Sequence, residues 1–210
     1  DWTRQAPDGI ARMNDFHAQN AKNGILNGIE IANGDYYSEE AFSIALEHDL
    51  AVIGVSDVHD LIDWDYKPHE GGHRPVTLVL AEDRSIASLK EGLFAKRTVV
   101  WSRNTLMGRA PDLISILQAS LTASTLTYRP DTSVAIVTLS NNSDMNMQLR
   151  YTGPHSLLLG PDRLIVPQHG EFEIYVKPGK VVDTLNLTFV VENALIAPGQ
   201  NPSITLTSRR

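Results

Sequence analysis

The stretch Ala51-Val52-Ile53-Gly54-Val55-Ser56-Asp57-Val58-His59-Asp60 decides how the first half of the chain is read. An apolar, largely β-branched run without polar alternation predicts a strand buried on both faces, and it ends abruptly in a hydroxyl, a carboxylate and an imidazole. In α/β barrels and doubly wound sheets, ligands bind at the C-terminal ends of such strands, so Asp57 and His59 fall where a site is expected. One residue separates them. On extended backbone both side chains leave the same face and can converge on one ion, an oxygen and a nitrogen donor suited to Zn, Mn or Fe. Two ligands do not define a metal site by themselves, and a turn-capping Asp beside an exposed His fits the same pattern.

Working outward, short strands are expected at Gly28 to Ala32, Val76 to Ala81 and Thr98 to Trp101 as well. The four starts are 23, 25 and 22 residues apart, the length of a β-α unit. A helix opening at Ser38 puts Ala41, Phe42, Ala45 and Leu46 on one face, and another opening at Ser85 does so for Ile86, Leu89, Leu93 and Phe94. Residues 56 to 75 lack a helical period and are rich in Asp, His, Gly and Pro, the composition of a site loop. A helix is expected over Gly9 to Lys22, ending at Gly24, and a short closing helix over Pro111 to Gln118.

Near residue 119 the period changes. Ser133 to Ser140, Met147 to Thr152, Arg163 to Val166, Glu171 to Lys177, Thr184 to Glu192 and Ser203 to Thr207 read as strands separated by turn chemistry such as Asn141-Asn142-Ser143-Asp144 and Lys177-Pro178-Gly179-Lys180. Short alternating strands at this density predict an immunoglobulin-like sandwich without a disulfide. The expected organisation is an α/β domain over 1–118 and an all-β domain over 119–210. His155 and His169 read as turn or surface residues.

Composition narrows the classes. Hydrophobic residues make up 42% of the 210, enough for real cores. A net charge of −7, with no run of Lys or Arg, argues against a nucleic-acid polymer or an anionic membrane as partner. The absence of cysteine excludes disulfides, thiolate ligands and a Cys nucleophile. No segment reaches the roughly 18 apolar residues of a membrane span. The chain begins at Asp1 and its first methionine is Met13, which reads as a processing or cloning boundary.

His69-Glu70-Gly71-Gly72-His73 matches the H-E-x-x-H expression of zinc proteases, but that chemistry needs a helix with both histidines on one face. Two glycines cost a helix about 1 kcal/mol each, and Pro75 stops it just past the second histidine. The same two histidines remain candidates to line the site from a loop. A guanidinium beside a divalent metal binds a phosphate bidentately, which makes Arg74 a candidate for substrate binding and a solvated loop arginine its alternative. Glu30 and Asn33 flank the end of the first strand and are candidates to line the same crevice, Glu30 being equally readable as a buried, hydrogen-bonded carboxylate.

Gly54-Val55-Ser56-Asp57-Val58-His59 resembles the closing Asp-x-His metal motif of the PHP (polymerase and histidinol phosphatase) superfamily. Its members are metal-dependent phosphoesterases on a distorted seven-stranded β/α barrel. The resemblance extends over Asn27 to Gly34, the strand from Arg74 to Ala81, and Gly92 to Thr98. From about 119 onward, including Ala197-Pro198-Gly199, the chain is similar to the immunoglobulin-like domain that follows a PHP domain in Bacteroidetes-type proteins labelled Sb-PDE phosphodiesterases. The family's other ligands, in an early His-x-His, a later His, a Glu and a His-Pro pair, have no counterpart here. In the family that His-Pro is commonly followed by a segment like Asp1-Trp2, so the chain is expected to begin just past a metal ligand.

The resemblance implies the C-terminal part of a PHP-type β/α barrel followed by an immunoglobulin-like β-sandwich. It also implies divalent ions (Zn, Mn or Fe) in the intact parent, with Asp57 and His59 among the ligands, and a small phosphorylated substrate. A periplasmic or secreted bacterial location is favoured on the same ground. The truncated chain is expected to be inactive and to hold no stoichiometric metal. The alternative is a non-catalytic binding or surface protein whose working part is the sandwich.

Overall fold

The computed structural model of the chain describes residues 3–5 and 11–210, and these divide into two compact units. The first comprises 1–113 with 195–200, and the second 114–194 with 201–210. This division differs from 1–118 and 119–210 in the helix over 110–120 and in the short excursion that returns 195–200 to the first unit.

In the first unit β1 (Thr3–Gln5) pairs antiparallel with β2 (Ala11–Met13), and α1 follows over Asp15–Lys22. The expected start at Gly9 is thus too early. Asn14 caps the helix by accepting the His17 N–H at 2.9 Å, while Gly9 and Ile10, like Asp1 and Trp2, lie outside the described residues. β3 (Gly28–Asn33) turns through Gly34-Asp35 into β4 (Tyr36–Tyr37) and pairs in parallel with β5 (Ala51–Val55), α2 (Glu39–Glu47) forming the crossover. Ser38 caps α2 as expected, accepting from Ala41 N–H at 3.1 Å. The helix buries Ala41, Phe42, Ile44 and Ala45 against Met13, Ile31, Leu50, Val52, Val100 and Met107.

The site loop carries one helical turn, α3 (Ile62–Asp65), and a 3-10 turn over Pro68–Glu70. Then β6 (Val76–Val79), α4 (Ile86–Phe94), β7 (Thr98–Ser102) and β8 (Thr105–Gly108) follow. The β-α spacing holds here, but the direction does not. β6, β7 and β8 are antiparallel, and α4 is inserted in an extended hairpin that Leu80 N–H closes onto the Arg97 carbonyl at 2.9 Å. α4 also turns its apolar residues outward, Ile86 and Phe94 being exposed, because its one buried residue is Gly92. A Cβ there would meet the Leu80 carbonyl oxygen and a Val79 methyl at 2.9 Å, so the helix sits on β6 by its backbone.

Side chains join the two groups of strands. Val52 N–H donates to Thr98 Oγ1 at 3.1 Å, Gly54 N–H donates to Thr77 Oγ1 at 2.9 Å, and the Thr77 hydroxyl donates back to the Gly54 carbonyl at 3.1 Å. Gly54 permits this approach, since a Cβ would lie 2.5 Å from a Val100 methyl. β5 therefore runs alongside β7 in the same direction. Ile53 and Val55 remain half-buried, so the strand is less enclosed than its uninterrupted apolar run suggests.

The second unit begins within α5 (Ala110–Ser120). Its strands are β9 (Leu121–Ala123), β10 (Thr127–Tyr128), β11 (Ala135–Asn141), β12 (Met147–Tyr151), β13 (Ser156–Leu157), β14 (Arg163–Val166), β15 (Glu171–Lys177) and β16 (Thr184–Val191). β17 (Ala194–Leu195) precedes the excursion and β18 (Ser203–Arg209) ends the chain. One antiparallel sheet has the order β10-β11-β15-β13, with β9 also on β11, and the other β14-β12-β16-β18. Alternation puts Val137, Leu139, Leu149, Ile174, Val176, Leu187 and Phe189 inside and the hydroxyls and charges outside, a sandwich core built without a disulfide.

Candidate functional site

β3, β5 and β7 finish at the same end of the first unit, and Asp57 and His59 follow β5 there. Asp57 Oδ1 and His59 Nε2 lie 3.5 Å apart. Their convergence does not come from extended backbone. Asp57 takes the left-handed conformation, φ +51°, which an Asp tolerates better than most residues, and the turn brings the imidazole back over the carboxylate. Both are open to solvent, the side chains 59% and 86% exposed, so no burial holds them in place.

Around them the loop is pinned. Tyr66 donates its hydroxyl to the Ser56 carbonyl at 2.6 Å, and Gly72 packs so closely on the Tyr66 carbonyl that a Cβ would meet that oxygen at 1.6 Å. Burial, then the carboxylates of Asp35, Asp65 and Asp57, raise the pKa of Tyr66 above the ordinary tyrosine value. The end of the strands is therefore acidic. Asp35, in the Gly34-Asp35 turn, is paired at 2.8 Å with Arg103, in the Arg103-Asn104 turn between β7 and β8. Two hairpin turns are thereby clasped across the rim.

The other candidates occupy separate positions. Glu30 is exposed rather than buried and accepts from Asn33 Nδ2 at 2.8 Å, at a register shift where β3 departs from β5. His69 lies 3.7 Å from Glu70 on the 3-10 turn, whereas His73 stacks on Trp101 with ring centroids 3.8 Å apart. Gly71, at φ +87°, ends the turn between the two histidines, so no helix presents them together. Arg74 is exposed just before β6, with no ion pair among the described residues. Asp35, Tyr66, Trp101 and Arg103 were not singled out from sequence; the two hairpin turns are the only local signal, and it is visible only once the strands are paired.

The donors can be tested against a metal. At metal–donor distances near 2.1 Å, two corners of a tetrahedron are about 3.4 Å apart, which the Asp57–His59 separation matches. The pair thus fits two corners of one coordination sphere. Among the described residues no group of three or more His, Asp or Glu is placed to hold an ion.

Residues 121–207 match the Ig-like domain family DUF5001. No curated protein matches the chain in sequence. Among solved structures, the chain is similar to a two-domain protein of Bacteroides vulgatus that contains a predicted PHP-like metal-dependent phosphoesterase, with a TM-score of 0.82 and 25% identity. The alignment covers 96% of this chain and 58% of that one, so the chain spans little more than half the length of its structural relative.

Proposed function

We propose that the end of β3, β5 and β7 is part of the active site of a PHP-type metal-dependent phosphoesterase, within the Sb-PDE-like group. The observation that carries this reading is the Asp57–His59 pair, at the spacing of two ligands of one ion, on a chain that aligns along 96% of its length with a structure containing a PHP-like phosphoesterase. An ion bound there, Zn, Mn or Fe, would supply hydroxide near neutral pH and offset the charge of a phosphoryl group. Asp57 and His59 would hold two of its corners, and the remaining ligands would come from polypeptide outside the described residues. The acidity of this end supports the same reading, because the carboxylates of Asp57 and Asp65 repel a phosphate unless a cation lies between.

Arg74, exposed at the start of β6, is the side chain proposed to take the phosphate, and a small phosphorylated compound suits a chain of net charge −7 better than a polymer. The test is turnover of bis(p-nitrophenyl) phosphate by the product of the complete reading frame that encodes this chain. Activity lost on chelation and restored by Mn, Zn or Fe supports the proposal. No turnover with any of the three ions would leave the sandwich as the working part and the first unit as scaffold.

A further inference from the structure

Asp57 and His59 are exposed, so packing does not fix where the carboxylate points; the backbone before it does. Donors from two separate turns hold that backbone. Gly34 N–H, just past β3, donates to the Val55 carbonyl at 3.0 Å, and the Tyr66 hydroxyl donates to the next carbonyl, that of Ser56, at 2.6 Å. The chain then turns at Asp57 with φ +51°, a conformation that a non-glycine residue keeps only where its surroundings fix it. Tyr66 is itself held. Its N–H closes onto the Ile62 carbonyl at 2.9 Å, and the Gly72 backbone lies against its own carbonyl, where a Cβ would overlap at 1.6 Å. Burial and the carboxylates of Asp35, Asp65 and Asp57 keep the phenol protonated, so the hydroxyl remains a donor.

Ligands that are aimed before an ion arrives bind it more tightly than ligands that must be ordered by it, which is how groups outside the coordination sphere set affinity. We infer that Tyr66 is a positioning residue of the candidate metal centre: by tying the Ser56 carbonyl it holds the turn that aims Asp57, and so sets the affinity for the ion. The inference rests on the phosphoesterase reading for the ion that Asp57 would hold. Tyr66 is half-buried and Gly72 exposed, and neither belongs to the core around Phe42, so both can be replaced without opening it.

The experiment titrates manganese into the ion-free product of the complete reading frame, with the free ion followed by electron paramagnetic resonance and thermal unfolding recorded on the same preparation. Tyr66→Phe keeps the ring and removes the hydroxyl. It should weaken manganese binding roughly 10- to 100-fold and move the ion-free unfolding midpoint by no more than about 4 °C. Excess manganese should return most of the turnover, because the ligands themselves are intact. A hydroxyl that only pins the loop gives the opposite pattern, a lower midpoint with unchanged affinity. Gly72→Ala is a second variant, since it keeps the phenol but forces Tyr66 away, and it should weaken manganese binding in the same way. Wild-type affinity in both variants, while Asp57→Asn loses the ion, overturns the role of Tyr66 and leaves the phosphoesterase reading standing. Affinity unchanged in Asp57→Asn as well, or no uptake of manganese by the wild type, removes the ligand pair, and the positioning role falls with it.

Discussion

The strands of the first unit begin in one kind of chemistry and finish in another. Where β5 and β7 begin, charges are closed upon one another: Asp49 accepts from Lys96 and from Arg109, and Arg109 also donates to the carbonyls of Ala45 and Leu50 at 3.1 and 2.9 Å. Arg97 is held by Glu91 and by the Leu80 carbonyl. Where the strands finish, Asp57 and His59 face each other and solvent, Asp35 is clasped only by an exposed Arg103, and Arg74 is exposed. Both ends carry acids and bases. What differs is how far the charges are answered within the unit: at the first end each carboxylate named has a cation, although among the described residues Arg109 Nε is buried without a hydrogen-bond partner, whereas Arg74 at the other end has no ion pair among them.

The contrast can be broken most forcefully by exchanging like for like. Arg109→Ala removes a cation from Asp49 and leaves the Leu50 carbonyl without its donor, while the Ala45 carbonyl keeps the Leu50 N–H at 2.8 Å, so thermal or urea unfolding should show a loss of about 2 kcal/mol. Arg103→Ala, at the open end, should change stability by less than about 0.5 kcal/mol. Equal losses would erase the distinction. Next in size is Gly54→Ala, which puts a methyl 2.5 Å from Val100 where β5 meets β7, and should cost about 1–2 kcal/mol in the same unfolding measurement.

The smallest effect is a matter of pH. The hydrogen bond from Lys96 holds the Asp49 carboxyl below the usual carboxylate range against the opposing effect of burial, with the charges of Lys96 and Arg109 adding to the lowering. A depressed pKa favours the ionised form in the folded state, so its contribution is present above the ordinary value near 3.9 and is lost as pH falls through the folded value. Because the carboxylate is largely exposed, Asp49→Asn should cost under about 1 kcal/mol at neutral pH. The gap between wild type and variant should close as unfolding is measured from about pH 5 down to pH 2.

The sequence reading followed from how local each signal is. β5, the caps Ser38 and Ser85, and the alternating strands from Ala135 to Arg209 are written in contiguous residues, and they stand where the patterns put them. β8 was missed because its signal is a two-residue turn at Arg103-Asn104, and the antiparallel course of β6 to β8 cannot be read from a spacing that parallel units share. The apolar residues of α4 were expected to pack, but the contact is made by Gly92, which leaves no hydrophobic trace. At the candidate site Asp57 and His59 were legible as a pair. Asp35, Tyr66 and Arg103 were not, since only the pairing of β3 with β5 and of β7 with β8 brings their turns to one rim.

The measurement that bears most directly on the open end is Asp57→Asn in the product of the complete reading frame, with turnover of bis(p-nitrophenyl) phosphate and thermal unfolding recorded on the same preparation. Asn tolerates the left-handed backbone at φ +51° and keeps the shape of the side chain, so unfolding should stay within about 0.5 kcal/mol of wild type. Most of the metal-dependent turnover should disappear with the charged oxygen donor. Unchanged turnover in Asp57→Asn would show that the Asp57–His59 pair is a feature of the turn, and would contradict its assignment as a metal ligand pair.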